Sequence, residues 1–386
     1  MGVLSYLKSG LSDSVETDPD LAYQDRILPG VSRTFALTIP QLPSPLCKAV
    51  ANAYLLCRIA DTIEDEPALS AEQKTHFHQQ FVSVLYGQQS ARNFAESLAP
   101  NLSERTTMEE RDLVGNTDRV VSVTRGLPQL QQHAISRCVE IMSIGMPEFE
   151  RHASPGGLRK LDDMERYCYY VAGVVGQMLT ELFCDYSPRI RHQRSELQPL
   201  AVSFGRGLQM TNILKDIWDD YEHGFCWLPA SVFGHSRLDL GQIRHEDGNR
   251  TFRQGLTELV GLAHGHLRNA LEFTLLIPAE EVGIRRFCLW AIGMAIMTLR
   301  KIQKNPDFTS SKDVKISKMT VRAVVLLSNG AVSNDWVLRK LFRVAAEPLP
   351  VRTPAMEEPP DTVAASTSER AGHCIQEPAV RPDTCS

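Results

Sequence analysis

Two acidic clusters, at residues 61–65 and 216–220, each follow a stretch of sequence that is largely apolar. Each cluster places two aspartates four residues apart, with a further carboxylate three residues after the first. On an α-helix these positions share one face, and like charges at that spacing repel each other. The preceding sequences predict buried helices, and burying unpaired charge is very costly. Each cluster therefore predicts a core helix that needs a cation from outside.

Mg²⁺ is the cation that best suits these clusters, with Mn²⁺ as an alternative. Mg²⁺ prefers oxygen ligands, takes one or two carboxylates, and completes its shell with waters and substrate phosphates. The clusters therefore predict a cavity where metal ions hold a diphosphate. A solvated helix face is the alternative for a single cluster, but the apolar neighbours of both clusters disfavour it. The candidate metal ligands are Asp61, Glu64, Asp65, Asp216, Asp219 and Asp220.

Hydrophobic residues recur at helical spacing through most of the chain, and alternating strand patterns are almost absent. The predicted helices cover residues 46–65, 70–86, 130–149, 164–184, 200–221, 253–276, 279–303 and 317–329. We predict an all-α, single-domain bundle of ten or more helices around a central cavity, with the two acidic helices as neighbours. This domain is expected to span residues 21–345, after a mobile N-terminus (1–20). Residues 346–386, rich in Pro, Glu, Ser and Thr, are expected to form a disordered tail.

Composition excludes several classes of function. The net charge is −5 and no basic tract is present, which argues against nucleic-acid binding. The nine cysteines form no CxxC pair and fit a reducing compartment. The start lacks the apolar region of a signal peptide, and the longest apolar stretch, 287–299, is too short to span a bilayer. We therefore expect a monomeric cytoplasmic protein without a transmembrane anchor.

Several cations stand beside the acidic clusters. Arg33 lies in a loop before the first acidic helix, and its planar guanidinium suits phosphate oxygens. Arg58 stands three residues before Asp61, so it either pairs with Asp61 or Asp65 or contacts a departing diphosphate. Lys215 takes a similar place directly before the second cluster.

Two tyrosines are also placed for a role in the cavity. Tyr54 lies seven residues before Asp61, on the same helix face. Tyr167 opens a segment in which Gly173 and Gly176 each disfavour helix by about 1 kcal/mol. Small residues there allow the close approach of a ligand or of a neighbouring helix, and the sequence leaves both open.

Residues 32–35, 54–65, 167–176 and 209–220 resemble, in order and spacing, the four signature regions of squalene and phytoene synthases. The resemblance extends over about residues 20–330. It implies an isoprenoid-synthase-type helical bundle that joins two isoprenyl diphosphates head to head, through a cyclopropyl diphosphate, and farnesyl diphosphate is the substrate expected of a squalene synthase. It implies catalytic roles for Tyr54, Tyr167, Arg58, Asp61, Asp65, Asp216 and Asp220. It implies diphosphate contacts from Ser32, Arg33, Phe35, Arg58, Gln209, Asn212 and Lys215.

Residues 287–299 and 310–318 further resemble the penultimate region of eukaryotic-type squalene synthases, which reduce their intermediate with NADPH. The NADPH contacts this implies are Arg33, Arg58, Lys215, Lys315 and Ser317. Two departures stand out. Ser317 occupies a position that is usually basic, and Phe225 follows Gly224 where an arginine is usual.

A polar tail also stands where eukaryotic relatives have a membrane anchor. We therefore expect a cytoplasmic enzyme that touches the inner membrane surface only transiently, to release its product. Two alternatives remain at this point. One is a non-reductive synthase that makes dehydrosqualene or phytoene, or stops at presqualene diphosphate. The other is an inactive helical assembly factor, which the presence of all four aspartates of the DxxxD pairs disfavours.

Overall fold

The computed structural model describes residues 18–32, 34–150, 156–234, 238–241 and 250–355. The first eight α-helices are α1 (Pro19–Val31), α2 (Phe35–Thr38), α3 (Ser44–Asp65), α4 (Ala71–Leu85), α5 (Ala91–Leu98), α6 (Met108–Gly115), α7 (Thr117–Arg125) and α8 (Gln129–Glu150). The next four are α9 (Leu161–Cys168), α10 (Val174–Tyr186), α11 (Pro188–Arg191) and α12 (Arg194–Glu222). The last five are α13 (Arg250–Leu276), α14 (Val282–Lys304), α15 (Ser311–Val314), α16 (Lys318–Ala331) and α17 (Asp335–Ala346).

Shorter turns complete the helical architecture. Three 3₁₀ turns are Ile39–Gln41, Ala99–Asn101 and Ala230–Phe233, and one π-helical turn is Tyr169–Gly173. Over the described ranges no β-strand occurs, and the only β pairing is an isolated bridge between Leu158 and Pro229. The predicted all-α fold is therefore confirmed.

The two helices that carry the acidic clusters lie at the centre of the molecule. Along α3, 14 residues are buried, which is the pattern of a helix surrounded by others. Helix α12 packs against α10, α13 and the π-helical turn. Glycines make that packing close: a Cβ on Gly176 would lie 2.1 Å from the carbonyl oxygen of Ala201, and one on Gly205 would lie 2.1 Å from that of Ala172. The close helix approach that Gly176 allowed in the sequence is thus present.

Each of the eight predicted helices corresponds to helix in the structure, with one interruption. The predicted helix 164–184 is divided into α9, the π-helical turn and α10. The sequence did not predict α1, α2, α5, α6, α7, α11, α15 or α17. Most of these are short helices, and short amphipathic segments give a weak periodic signal.

The chain termini bear on the predicted domain bounds. Residues 1–17 and 356–386 lie outside the described residues, so the predicted terminal segments stay predictions. Helix α1 begins inside the expected N-terminal segment, where the Asp18 side chain accepts a hydrogen bond from the Asp20 N–H. Past α17 the chain lies along α13: the Arg352 N–H donates to the Gly261 carbonyl at 3.0 Å, and Leu349 is buried. The part of the expected tail up to residue 355 therefore packs on the domain.

The apolar stretch at 287–299 belongs to a longer helix than expected. Helix α14 has 23 residues and is long and apolar enough, by length and composition alone, to cross a membrane. The stretch therefore lies within a helix of spanning length, and the expectation that the protein has no transmembrane anchor stays a prediction. Two thirds of the most apolar 18-residue segment of this helix is buried inside the protein, which is also the pattern of a core helix. The seven described cysteines are unpaired, and all but Cys47 are buried, as expected.

Candidate active site

A cavity of about 510 Å³ opens between α3, α10 and α12. Each of the two central helices gives it one stripe of side chains at helical spacing. On α3 the stripe runs from Val50 to Asp65, and on α12 it runs from Ala201 to Asp216. Both stripes begin with apolar residues and end with carboxylates. The cavity is therefore apolar along one part and acidic along the other.

Most of the residues singled out in the sequence line this cavity. Those that do are Phe35, Tyr54, Arg58, Asp61, Glu64, Asp65, Tyr167, Gln209, Asn212, Lys215 and Asp216. The apolar walls add aromatic rings from four helices: Phe183, Phe204, Phe273 and Phe287. Residues as far apart in the chain as Phe35 and Ala291 thus meet in one place.

The two acidic clusters influence each other electrostatically. Burial raises the pKa of Asp220 to about 7, and the charges of Asp216 and Asp65 add to that increase. Burial likewise raises the pKa of Asp61 to about 7, against the opposing effect of Arg58 and with help from Asp65. Because Asp65 on α3 and Asp216 on α12 line the same cavity, the two clusters meet at one site.

The chemistry of this acidic end fits divalent cations that also bind a substrate phosphate. Among the described residues, no three acidic, histidine or cysteine side chains already form a ready-made metal cage. Mg²⁺ does not require one, since it is commonly held by one or two carboxylates with waters and phosphate oxygens. The Oδ1 atom of Asp61 is buried without a hydrogen-bond partner, a costly arrangement that a cation would relieve.

Asp219 differs from its neighbours in the second cluster. Its Oδ2 accepts a hydrogen bond from the Ser311 hydroxyl at 2.6 Å, and its Oδ1 accepts from the Ser311 N–H at 3.2 Å. Ser311 begins α15, the short helix within the predicted cofactor region 310–318. Asp219 therefore ties that region to the acidic end of α12. Its place among the predicted metal ligands stays a prediction.

Arg58 is held between two carboxylates. Its Nη2 donates to Glu110 Oε1, and its Nη1 lies 3.8 Å from Asp61 Oδ2. Glu110 opens α6 in a capping box with Thr107, so one of its oxygens caps the helix while the other holds Arg58. Both sequence alternatives for Arg58 are therefore compatible with the structure, since it pairs with Asp61 and also lines the cavity.

Lys215 and the tyrosines also have defined partners. Lys215 Nζ lies 3.1 Å from Asp216 Oδ2. The Tyr54 hydroxyl donates to the Val31 carbonyl at 2.9 Å, and burial raises its pKa. Tyr167 stacks on Trp227 with ring centroids 4.0 Å apart, and burial with the nearby Glu64 charge raises its pKa well above its usual range.

Phe225 extends this aromatic stack. Its ring lies parallel to that of Trp227, with centroids 6.2 Å apart. The position where an arginine is usual in the resembling family is thus occupied by an aromatic side chain that supports Tyr167 through Trp227. No local sequence pattern predicts this stack.

The remaining predicted residues lie outside the cavity wall or outside the described chain. Ser32 Oγ accepts a hydrogen bond from the Phe35 N–H at 3.0 Å and so positions the cavity residue Phe35. Arg33 lies outside the described residues. The Lys315 side chain is exposed, and its carbonyl accepts from Lys301 Nζ at 2.6 Å. Ser317 caps α16, accepting from the Thr320 N–H at 3.1 Å.

The raised carboxylate pKa values predict a pH-dependent effect of Mg²⁺ on stability. Unfolded aspartates lose their protons near pH 4. Asp61 and Asp220 keep theirs to about pH 7 in the fold, so the metal-free protein loses stability as pH rises between these values. Mg²⁺ relieves the repulsion between deprotonated carboxylates. We expect Mg²⁺ to raise Tm by at least about 3 °C more at pH 8 than at pH 6. An equal increase at both pH values would contradict this account of the acidic end.

Glu110 offers a second test, because it draws Arg58 away from Asp61. In Glu110→Gln the charge is lost at unchanged side-chain volume, and Arg58 then pairs more strongly with Asp61 in competition with a metal ion. We expect the Mg²⁺ concentration for half-maximal activity to rise about 3- to 10-fold. Glu109→Gln removes the same charge from an exposed position on α6 and should leave the Mg²⁺ dependence unchanged. Identical Mg²⁺ curves for the two variants would show that Glu110 only caps its helix.

Comparison with known proteins agrees with this site. A family model described as squalene/phytoene synthase matches residues 28–320. A squalene synthase of Schizosaccharomyces pombe is 27% identical over 325 residues, covering 83% of this chain and 67% of that protein. A squalene synthase of Botryococcus braunii is 30% identical over 356 residues, covering 89% of this chain and 71% of that protein.

Solved structures support the same fold. TcSQS in complex with the ligand BPH1237 superposes with a TM-score of 0.69 at 23% identity, covering 90% of this chain and 96% of that one. A dehydrosqualene synthase in complex with a ligand superposes with a TM-score of 0.59 at 21% identity, covering 80% and 94%. Because the family model matches well over half of the chain, on the segments that build the cavity, the chain belongs to the squalene/phytoene synthase family of prenyltransferases.

Proposed function

We propose that this protein is a squalene synthase. It condenses two farnesyl diphosphates head to head to presqualene diphosphate and then rearranges and reduces that intermediate to squalene with NADPH. The observation that carries the proposal is the single cavity, which joins both acidic clusters to an apolar interior. The squalene synthases among the relatives support the choice of product.

The acidic end is suited to holding two diphosphates. Asp61, Asp65, Asp216 and Asp220 would hold Mg²⁺, with Glu64 beside them. When bound, Mg²⁺ neutralises diphosphate charge and so favours its departure. Arg58 and Lys215 line the same part of the cavity and add positive charge where the leaving group develops its negative charge.

The apolar part of the cavity protects the allylic cation that ionisation produces. Water would quench this cation, and a wall of aromatic and aliphatic side chains excludes water. Phe204, Phe273 and Phe287 come from three different helices and contribute to this wall. Their rings also present electron-rich faces, which stabilise positive charge nearby.

Tyr167 serves as a hydrogen-bond donor in this proposal, whereas the Tyr54 hydroxyl already donates its proton to the Val31 carbonyl. The pKa values of Tyr54 and Tyr167 are both raised, so both phenols keep their protons at neutral pH. A protonated phenol can orient a diphosphate oxygen but is a poor base. The proton lost on cyclopropane closure therefore leaves to another acceptor, for which the released diphosphate is suited.

The reductive half of the reaction is assigned to the region of Lys315. The Ser311 to Asp219 hydrogen bonds hold this region beside the second acidic cluster. Lys315 is exposed four residues further on, and its ammonium would bind a phosphate of NADPH. Arg33, Arg58 and Lys215 stay the other candidates for this contact. Supply of a hydride from NADPH would convert the final cation to squalene.

A non-reductive synthase is the second candidate. Ser317 favours it, because this residue caps α16 and carries no charge where the resembling subgroup has a basic residue. Weaker binding of NADPH would let the final cation lose a proton and form dehydrosqualene.

Product analysis separates the two. Purified protein is incubated with farnesyl diphosphate and Mg²⁺, with and without NADPH, and with EDTA in place of Mg²⁺ as control. We expect squalene only when both Mg²⁺ and NADPH are present. Dehydrosqualene in equal yield with and without NADPH would establish the second candidate, and no thirty-carbon product would contradict both.

A further inference from the structure

Helix α16 presents an unusually apolar face to solvent. The side chains of Met319, Leu326 and Leu327 are 79%, 74% and 55% exposed. With the exposed Ala323 and Gly330 they recur at the helical spacing that places them on one side of α16. We call these five residues the outer face of α16. Large apolar residues exposed together in this way mark an interaction site.

The opposite side of α16 fixes this orientation. Val324 packs so closely on α14 that a Cβ on Gly293 would lie 2.5 Å from its Cγ1 atom. Asn329 Oδ1 accepts a hydrogen bond from Trp290 Nε1 at 3.1 Å, and Ala331 is buried. These contacts hold the inner side of the helix on the domain. The outer face therefore cannot turn inward without losing them.

The charge around the outer face has a single sign. Residues 314–334 contain Lys315, Lys318 and Arg322 but no aspartate or glutamate, whereas the whole chain has a net charge of −5. All three cations are exposed. Among the ion pairs that the described part of the chain forms, none involves Lys318 or Arg322.

We propose that the outer face of α16 docks on the surface of an anionic lipid bilayer. An amphipathic helix with apolar residues on one side and basic residues beside them lies in the membrane interface, with its apolar side in the acyl boundary. Lys318 and Arg322 then meet lipid phosphates, and each such cation adds about fivefold to binding. The helix lies along the membrane and does not cross it.

A second copy of the chain fits this face less well. In a two-fold dimer the same surface faces itself, so the three cations of one copy would oppose those of the other without any acidic residue between them. An anionic membrane supplies both the apolar interior and the opposite charge. The composition of the outer face therefore favours lipid.

The position of α16 would bring a docked membrane close to the cavity. Helix α14 lines the cavity with Phe287, Cys288 and Ala291, and it carries α16 elsewhere on its surface. A membrane bound to α16 would thus lie one helix away from the cavity wall. Release of a water-insoluble product into that membrane rests on the proposed function, whereas the docking itself does not.

Vesicle binding tests the docking without any substrate, so its outcome is independent of the product that the enzyme makes. The full chain is co-sedimented with phosphatidylcholine vesicles, with and without phosphatidylglycerol, at low and high salt. We expect binding to the anionic vesicles, weakening as salt increases. The Leu326→Gln, Leu327→Gln double variant should bind at least about tenfold less well. The Lys318→Gln, Arg322→Gln double variant should bind the anionic vesicles about 25-fold less tightly.

Leu130→Gln is the matched control, because Leu130 on α8 is 70% exposed and lies outside the outer face. It should bind as the unaltered chain does. Circular dichroism establishes whether each variant is folded. If the leucine double variant does not fold, the Lys318→Gln, Arg322→Gln double variant tests the proposal independently. The proposal is overturned by absent vesicle binding, by equal binding to neutral and anionic vesicles, or by equal loss in Leu130→Gln. If light scattering showed a dimer for the unaltered chain and a monomer for the leucine double variant, the outer face would instead be assigned to binding a second copy.

Discussion

Asp61→Asn and Asp216→Asn are each expected to reduce the rate of product formation by about 10²- to 10³-fold. Each change removes one negative charge from the acidic end of the cavity while keeping the size of the side chain. The metal ions that would hold the diphosphates then lose a ligand, and the leaving group loses the charge that stabilises it. The measurement is the rate of diphosphate release from farnesyl diphosphate at saturating Mg²⁺.

The fold should survive both changes. Each aspartate is partly buried among other carboxylates, so its neutral replacement relieves repulsion and should leave the helical circular dichroism unchanged. Asp185→Asn is the matched control: its carboxylate accepts a hydrogen bond from Gln131 of α8 and does not line the cavity. Near-full activity in Asp61→Asn or Asp216→Asn, or an equal loss in Asp185→Asn, would refute the assignment of the acidic end.

Lys315→Ala is expected to separate the two halves of the reaction. Removing a charge-assisted contact to an NADPH phosphate should raise the KM for NADPH by about tenfold or more. The fraction of unreduced product should increase at limiting NADPH, while diphosphate release in the first step stays within about twofold. Both are measured by analysing products over a series of NADPH concentrations.

Lys312→Ala controls for charge in the same region. Lys312 is exposed three residues before Lys315, and we assign it no contact with the cofactor. It should keep the KM for NADPH of the unaltered protein. If Lys315→Ala slowed both steps equally, the residue would be acting on the structure of the region and not on the cofactor.

The sequence predicted those parts of the site that lie along single helices. Asp61 and Asp216 repeat one spacing on two apolar helices, and this local pattern is enough to predict two carboxylate faces in a core. Tyr54 and Lys215 follow from the same helical register. Each of these residues now lines one cavity, because α3 and α12 both pack against α10 and present these stripes to the space beside it.

Other features depend on tertiary contacts that no local pattern encodes. Glu110 reaches Arg58 across 52 residues of chain, and its sequence context shows only a helix-capping motif. Ser311 reaches Asp219 across 92 residues. Trp227 stacks on Tyr167 from the segment that follows α12. Nothing in the spacing of these residues distinguishes them from ordinary polar or aromatic positions.

The π-helical turn is a further case. The glycines at 173 and 176 predicted close approach, but not the π-helical backbone at Tyr169–Gly173, where the Ala172 carbonyl lies close against Gly205 of α12. The turn also places Val171 and Ala172 on the cavity wall. A sequence pattern of uniform helical period could not show this shift.

The most direct test of the account is the fate of the hydride. The protein is incubated with farnesyl diphosphate, Mg²⁺ and NADPH that carries deuterium at the transferable position, on either face of the nicotinamide in separate reactions. We expect squalene that carries one deuterium per molecule in one of the two reactions and none in the other. Squalene that carries no deuterium in either reaction would contradict a reductive synthase. Dehydrosqualene as the main product at saturating NADPH would contradict it as well.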